Sequence, residues 1–206
     1  MRKICELGRS MVEMLGVLAI IGVLSVGGIA GYSKAMMKYK LNKHTEQIGS
    51  ILDNVNINLD TIKRSKTGIN SLMTTVLIDM GLIPEEMIKT YGNIIYDVFG
   101  NNIRIYNYYG ANSTYYFEFI TTLGKDNMQA CLNLFQIAKL RSAMLYRTKF
   151  EFSQSNTTSE GNAVYGDAYC SDNVKCLKNF SLTEAAEFCT ICEDKDSCLF
   201  YFQIVL

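Results

Sequence analysis

A stretch of twenty residues without a charged side chain, 14–33, dominates the N-terminal part of this sequence. Glu13 precedes the stretch and Lys34 follows it. Twenty helical residues rise about 30 Å, which matches the hydrocarbon core of a bilayer. The stretch is therefore predicted to form a membrane-spanning helix. Because a carboxylate at the edge of a bilayer is costly without a partner, Glu13 is the first candidate functional residue.

A secretory signal peptide and a plain signal anchor are simpler interpretations of the same stretch. A signal peptide has a shorter apolar region, about 7–15 residues, followed by a small-residue cleavage site. Here a lysine-rich amphipathic segment follows residues 30–33 at once, so no natural end appears there. A plain anchor explains the length and the basic Arg2 and Lys3, but it leaves Gly8 and Glu13 unexplained.

The residues around Gly8 resemble the N-terminal signal of type IV prepilins. A short basic leader ends at Gly8, Glu13 is the fifth residue after it, and an apolar helix follows. The resemblance implies that a prepilin peptidase cleaves between Gly8 and Arg9 and that the new terminus, Arg9, is N-methylated. The family commonly has phenylalanine or methionine where Arg9 stands. It also implies that Glu13 pairs with the terminal ammonium of a neighbouring subunit, which satisfies the buried charge and sets the register of assembly.

A helical pattern continues beyond the apolar stretch. Apolar residues recur at helical spacing on one face, which predicts packing against a globular head; they are Leu41, Ile48, Leu52, Val55, Leu59 and Ile62. Together the two parts predict one long helix from about residue 10 to residue 63. Gly27 and Gly31 lie in its apolar part, four residues apart, and are candidates for close packing between helices.

These patterns divide the chain into four parts. We expect a cleaved leader (1–8), a membrane-spanning or filament-core half of the long helix (9–33), its amphipathic half (34–66), and a globular head with a cysteine-rich C-terminal region (67–206).

The head is predicted to alternate short helices with strands. A short helix is expected at 70–80, strands at 93–99, 102–109, 114–122 and 143–152, a helix at 126–140, a solvent-facing loop at 153–163, and a last buried strand at 199–206. Ser181 and Glu184 form a capping-box pattern that begins a helix running to about Cys192.

This order of elements resembles the type IVb branch of the pilins. The resemblance rests on the Gly-Leu-Ile-Pro turn at 81–84, the Asp-Val-Phe-Gly-Asn-Asn segment at 97–102 and the Gln-Ala-Cys-Leu segment at 129–132. It implies an α+β fold of the pilin ladle type, in which a long N-terminal α-helix packs on an antiparallel β-sheet head with additional short helices and disulfides. It also implies that Cys131 is bonded to a cysteine near the C-terminus, with Cys189, Cys192 and Cys198 as candidates.

Removing Cys5 with the leader leaves six cysteines, an even number that favours disulfides in an oxidising compartment. We expect Cys170 and Cys176 to close a local loop. A redox role for the Cys189-Thr-Ile-Cys192 pair is disfavoured because the pair falls late in its helix, whereas reactive pairs gain thiolate character at a helix N-terminus. A zinc site from Cys170, Cys176, Cys189 and Cys192 has only one short Cys-x-x-Cys knuckle, where strong zinc signatures have two.

The residue inventory does not favour an enzyme. The single histidine, His44, is expected to be a solvated residue of the lysine-rich stalk rather than part of a catalytic triad. The acidic residues Glu193, Asp194 and Asp196 match no strong calcium-loop spacing and are expected to form a solvated turn. The 20 basic and 20 acidic residues balance, so bulk charge does not indicate nucleic-acid binding. No catalytic residue, cofactor or metal is predicted.

The sequence therefore predicts a structural, self-assembling subunit of a type IV pilus, used for adhesion, motility, aggregation or DNA uptake. Its expected partners are other copies of itself, the prepilin peptidase, the inner-membrane pilus assembly machinery and the membrane. It is expected in the bacterial inner membrane with its head outside the cytoplasm, and then in a cell-surface pilus.

Three other functions remain open. A minor pilin or type II secretion pseudopilin would be distinguished from a major pilus subunit by its abundance. A signal-anchored extracytoplasmic binding protein would form no polymer, and an anchored thiol oxidoreductase would keep its leader and carry thiols active in disulfide exchange.

Overall fold

The computed structural model describes the backbone of residues 5–64, 70–89, 92, 94–109, 114–124, 127–154, 157–160, 163–192 and 197–206. Side chains are described over the same ranges from residue 11 onward, apart from residues 153–160. The chain forms two compact units, Met1–Lys40 and Leu41–Leu206. The acidic cluster singled out above, residues 193–196, lies outside the described residues.

The described helices are α1 (Cys5–Ile57), α2 (Leu59–Arg64), α3 (Thr74–Asp79), α4 (Met128–Leu140) and α5 (Leu182–Ile191). The long N-terminal helix is present, but it begins earlier than predicted and is interrupted at Asn58. There the Asn58 side-chain amide donates to the carbonyl of Asn54 at 2.8 Å. The Asn58 backbone N–H donates to the same carbonyl at 3.1 Å, so this carbonyl accepts two bonds where α1 ends.

The described strands are β1 (Ser71–Leu72), β2 (Ile95–Tyr96), β3 (Asn102–Tyr109), β4 (Tyr115–Leu123), β5 (Arg147–Gln154), β6 (Thr157–Glu160), β7 (Val164–Tyr165), β8 (Lys175–Cys176) and β9 (Ser197–Val205). They form one sheet in the order β1-β3-β4-β9-β5-β7-β8, with β2 beside β3 and β6 beside β5. Every pair is antiparallel except β7 and β8. The C-terminal strand β9 lies at the centre, between β4 and β5.

The core lies between the inner face of this sheet and the helices of the second unit. Alternate residues of the central strands point into it, among them Phe117, Phe119, Phe150, Phe200 and Phe202, all at most 1% exposed. The C-terminal part of α1 supplies Ile48, Ile51, Leu52 and Val55, which are fully buried. This arrangement confirms the predicted α+β pilin-like fold and the predicted apolar face of the amphipathic half of α1.

Several predicted segments differ from the structure. The helix expected at 70–80 begins only at Thr74, after β1, and the strand expected at 93–99 is limited to β2. The loop expected at 153–163 contains the end of β5 and all of β6. These two strands pair from Glu151 opposite Glu160 to Gln154 opposite Thr157. A polar strand can form there because its backbone groups find their partners in β5 at the margin of the sheet.

The strand expected from residue 143 begins only at Arg147, because residues 141–144 form a turn against Gly166. A Cβ at Gly166 would lie 1.9 Å from the carbonyl oxygen of Leu145, so this close approach requires glycine.

The start of α5 follows the predicted capping box. The backbone N–H of Glu184 donates to the Ser181 hydroxyl at 3.2 Å, and the backbone N–H of Ser181 donates to the Glu184 carboxylate at 2.8 Å. The Ser181 hydroxyl also donates to the carboxylate, at 2.9 Å. The bond from the Ser181 backbone N–H, followed by the bond from its hydroxyl, stabilises the ionised form and lowers the pKa of Glu184.

Candidate assembly site

The apolar part of α1 exposes its side chains around the whole helix. From Met11 to Ile29 the exposed fractions of the large apolar residues run from 53% to 75%. Over the residues that the structure describes, this is one helix long and apolar enough to cross a membrane, judged by length and composition. Because this part of the helix buries no face in the described monomer, an apolar surface of this extent requires an apolar environment outside it.

The predicted cleavage and register residues all lie on α1. Gly8 and Arg9 belong to its first turns, and Glu13 follows Arg9 by four residues, which is about one helical turn. The Glu13 side chain lies on the exposed surface of the helix. The helix therefore carries this carboxylate at the start of its apolar surface, about one turn from the backbone amide of Arg9.

The glycines of the apolar part have no packing role within the described monomer. A Cβ built at Gly27 or Gly31 would meet no described atom within 4 Å, and the same holds at Gly16, Gly22 and Gly28. Each glycine costs about 1 kcal/mol of helix stability relative to alanine. Nothing in the described chain offsets that cost.

His44 is buried, and its predicted solvated position is wrong. The side chain is 0% exposed, and Nε2 lies 3.1 Å from Asp97 Oδ2, although without the alignment of a hydrogen bond. Nδ1 lies 3.0 Å from the Asn133 side-chain amide nitrogen, and the imidazole and Phe99 rings pack nearly perpendicular to each other with their centres 5.2 Å apart. His44 therefore joins α1 to α4 and to the turn between β2 and β3.

The partners of His44 are themselves held in place. The Asp97 carboxylate accepts from the backbone N–H groups of Phe99 and Asn101 at 2.8 and 2.9 Å. The Asn133 amide donates to the carbonyl of Leu41 at 3.1 Å. A carbonyl accepts only, so this bond fixes which end of the amide faces His44, and Nδ1 is the acceptor of that pair.

A second polar contact fixes the other end of the α1–α4 interface. The Arg141 guanidinium donates to both carboxylate oxygens of Asp53, at 2.9 and 2.7 Å. It crosses Gly49, where a Cβ would lie 2.4 Å from the Arg141 Nη2 atom. Bidentate geometry makes this pair more specific than a single-point ion pair.

Three disulfides hold the C-terminal part of the head, namely Cys131–Cys189, Cys170–Cys176 and Cys192–Cys198. The structure thus joins Cys131 to Cys189, which the sequence left open, and closes the expected local loop at Cys170. Because Cys189 and Cys192 belong to different bonds, their Cys-x-x-Cys spacing is not a redox pair. All four cysteines considered for a zinc site are bonded, and no other cluster of metal-ligating residues occurs among the described residues.

The outer face of the sheet carries a polar network that sequence analysis missed. Arg147 donates through Nε to the Gln203 side-chain oxygen, and Gln203 donates through Nε2 to Glu118, each at 2.5 Å. Glu118 is 6% exposed, and this burial raises the pKa of its carboxyl. The neighbouring Tyr201 hydroxyl donates to Glu151 at 2.5 Å, and burial followed by this bond raises the pKa of Tyr201. The alternation of side chains along a strand predicts that Glu118 points to the outer face of the sheet. It does not predict that longer side chains from neighbouring strands cover the carboxylate.

A comparison with protein-family models identifies a family for this chain. The family model described as PilS N terminal matches residues 28–184. Two curated relatives, each named a major structural subunit of bundle-forming pilus, come from Escherichia coli O111:H- and from Escherichia coli O127:H6. Each is 26% identical over 197 residues, covering 96% of this chain and 93% of the relative. The crystal structure of a type IV b pilin from Salmonella typhi aligns with a TM-score of 0.47 and 15% identity, over 80% of this chain and 97% of that one.

Proposed function

Since this chain belongs to the PilS family of type IV pilins, we propose that it is a structural subunit of a type IV pilus, stored in a membrane and then polymerised with copies of itself. The observation that most supports this proposal is the exposure of the apolar part of α1, whose large side chains are 53% to 75% exposed in the monomer. A bilayer before assembly and a bundle of like helices after it both supply the environment that this surface requires. A subunit role needs no catalytic group.

The first step of the proposed pathway is removal of the leader. A prepilin peptidase cleaves between Gly8 and Arg9 and leaves a mature chain of residues 9–206, with Arg9 as the N-methylated terminus. Residues 9–33 then hold the chain in the inner membrane. The amphipathic half of the helix, 34–66, and the head, 67–206, lie outside the cytoplasm. The oxidised cysteines support this location, because disulfides persist in oxidising compartments.

Glu13 supplies the register of assembly in this proposal. The helix carries the carboxylate about one turn from Arg9, so the ammonium of one mature subunit can approach the Glu13 of its neighbour when the helices are staggered. In an apolar filament core that pair satisfies two charges that would each be costly alone. A stagger that leaves them apart is therefore disfavoured.

Gly27 and Gly31 provide the second contact between subunits. Their Cβ positions face open space in the monomer, so their value lies in how closely another helix can approach. Small residues four apart let two helix backbones come together without side chains between them. Inside a membrane the hydrophobic effect does not drive helices together, because lipid tails are as apolar as the side chains. Close backbone packing at these glycines therefore contributes to the association of the helices.

The test compares filaments made by cells carrying Glu13→Ala with those made by wild-type cells. We expect the variant to accumulate in the membrane at the wild-type level but to be lost from the filaments sheared off the surface. Glu46→Ala is the matched control, because it removes an exposed carboxylate from the same helix outside the apolar part. Normal filaments from Glu13→Ala would remove the register role, and equal loss with both variants would show that the effect is not specific to Glu13.

A further inference from the structure

We propose that Lys34 and Lys38 form a binding site for the phosphate groups of anionic phospholipids at the outer surface of the membrane that stores the subunit. This inference rests on the proposed membrane storage and concerns a surface to which that proposal assigns no ligand. The site lies entirely within the first unit of the chain, on the continuous helix α1.

The two lysines lie where the headgroups of a bilayer begin. Residues 14–33 span the hydrocarbon core, so Lys34 is the first residue beyond it. Four residues rise about 6 Å, so Lys34 and Lys38 together cover a depth comparable to one headgroup layer. Their spacing also places them on one face of the helix, with Cβ atoms about 5–6 Å apart, close enough to share one phosphate.

The charges of this segment are of one sign. No aspartate or glutamate occurs between Glu13 and Glu46, so the helix presents a positive surface at this depth. Within the described part of the chain, Lys34 and Lys38 lie in no ion pair, whereas Lys43, one turn further, contacts both Glu46 and Glu86. Both lysine side chains are exposed. The anion that complements them must come from outside the monomer.

Two tyrosines fix the depth of the same segment. Tyr32 and Tyr39 are 67% and 60% exposed and, being seven residues apart, lie on one face of α1. At about 100° per residue that face is roughly 130° around the helix from the lysine face. Tyrosine favours the membrane–water interface, where its ring meets apolar chains and its hydroxyl meets water. An interfacial ring on one side and a lysine pair on the other suit a headgroup layer better than they suit water or a protein core.

These observations select anionic phospholipid rather than a second copy of the chain. The charge between Glu13 and Glu46 is positive in every copy, so this segment of a neighbour offers no complementary carboxylate at the same level. A bilayer that contains phosphatidylglycerol presents phosphate at that depth continuously. Each basic residue next to the membrane contributes about 1 kcal/mol of binding free energy at an anionic surface, which corresponds to about a fivefold change in the association constant.

The test measures lipid selectivity around the full-length chain in vesicles. Spin-labelled phosphatidylglycerol and spin-labelled phosphatidylcholine are compared as probes, and electron spin resonance gives the fraction of each held at the protein. We expect the wild-type chain to prefer phosphatidylglycerol, and Lys34→Gln with Lys38→Gln to lower that preference by about fivefold per lysine. High salt should lower it too, because exposed charges are screened.

Two further variants keep the test specific. Lys34→Arg with Lys38→Arg retains both charges and should retain the preference. Arg104→Gln with Lys178→Gln removes two exposed charges from the head and should leave the preference unchanged.

The proposal is overturned if the glutamine variant keeps the preference, or if the head control loses it equally. If the glutamine variant keeps the preference and also no longer cross-links to a second copy in the same vesicles, the lysines contact protein rather than lipid. A wild-type chain that inserts into vesicles without any preference contradicts the lysine site alone. A chain that does not insert contradicts membrane storage as well.

Discussion

The Cys131–Cys189 bond should contribute more to the stability of the head than either other disulfide, because it closes by far the longest loop. Its cysteines are 58 residues apart, whereas those of Cys170–Cys176 and Cys192–Cys198 are 6 apart. In the chain-entropy model a loop of this longer length lowers the entropy of the unfolded chain enough to contribute about 4 kcal/mol at 25 °C, against about 2 kcal/mol for the short loops. The difference of about 2 kcal/mol is the quantity to test.

The perturbation is Cys131→Ala with Cys189→Ala, and the matched control is Cys192→Ala with Cys198→Ala. The two pairs lose the same atoms, and all four cysteines are at most 8% exposed, so losses of packing nearly cancel in the comparison. Urea unfolding of the full-length chain in detergent, followed by the near-ultraviolet circular dichroism of its 13 tyrosines, reports the tertiary structure of the head. We expect the larger fall in unfolding free energy for the pair that includes Cys131.

Equal losses from the two double variants would refute the loop-length argument. The same conclusion would follow if the control pair lost more stability. In either case the contribution of Cys131–Cys189 would come from packing at the α4–α5 contact and not from constraint of the unfolded chain.

Three further predictions concern single side chains. His44→Ala should lower the unfolding free energy by about 2 to 3 kcal/mol, because it removes a buried partner of Asn133 and leaves a cavity, whereas alanine at the exposed Asn42 should change it by less than about 0.5 kcal/mol; a fall below 1 kcal/mol in urea titrations would contradict the buried network. Glu118 has a raised pKa in the folded chain, so its contribution to stability is present below its unfolded pKa and is lost as the pH rises through the folded value. Glu118→Gln should therefore gain stability over wild type as the pH rises from about 4.5 to neutrality, and parallel pH profiles of the two chains would exclude this. Ser181→Ala should cost about 1 kcal/mol through loss of the N-cap, measured against Thr183→Ala, and equal melting temperatures would argue against the cap.

The main elements could be predicted because their signals are local. The apolar stripe of α1, the runs of isoleucine, tyrosine and phenylalanine in β3 and β4, and the capping box at Ser181 each depend on neighbouring residues, and the structure contains all of these elements. His44 was not counted in that stripe, yet it lies three residues after Leu41 and four before Ile48, so the same helical spacing places it there. The neighbouring lysines led to the prediction that His44 is exposed to solvent. Its position on the apolar face of α1 instead determines that it is buried.

Long-range pairing could not be predicted from the same signals. Cys189 and Cys192 are three residues apart on one helix, and only the packing of α5 against α4 determines that Cys189 meets Cys131. The burial of Glu118 likewise depends on side chains from two other strands. The β5–β6 hairpin was missed because its polar residues carry no hydrophobic period, while its backbone still pairs. In each case the deciding contact joins segments that are distant in sequence.

The mass of this chain in filaments sheared from cells tests the central claim most directly. Intact-mass analysis and N-terminal sequencing should find a chain that begins at Arg9, with a methylated terminus and its six remaining cysteines oxidised. Finding the chain only in membranes, beginning at Met1 and with free thiols, would contradict its assignment as an assembled pilus subunit.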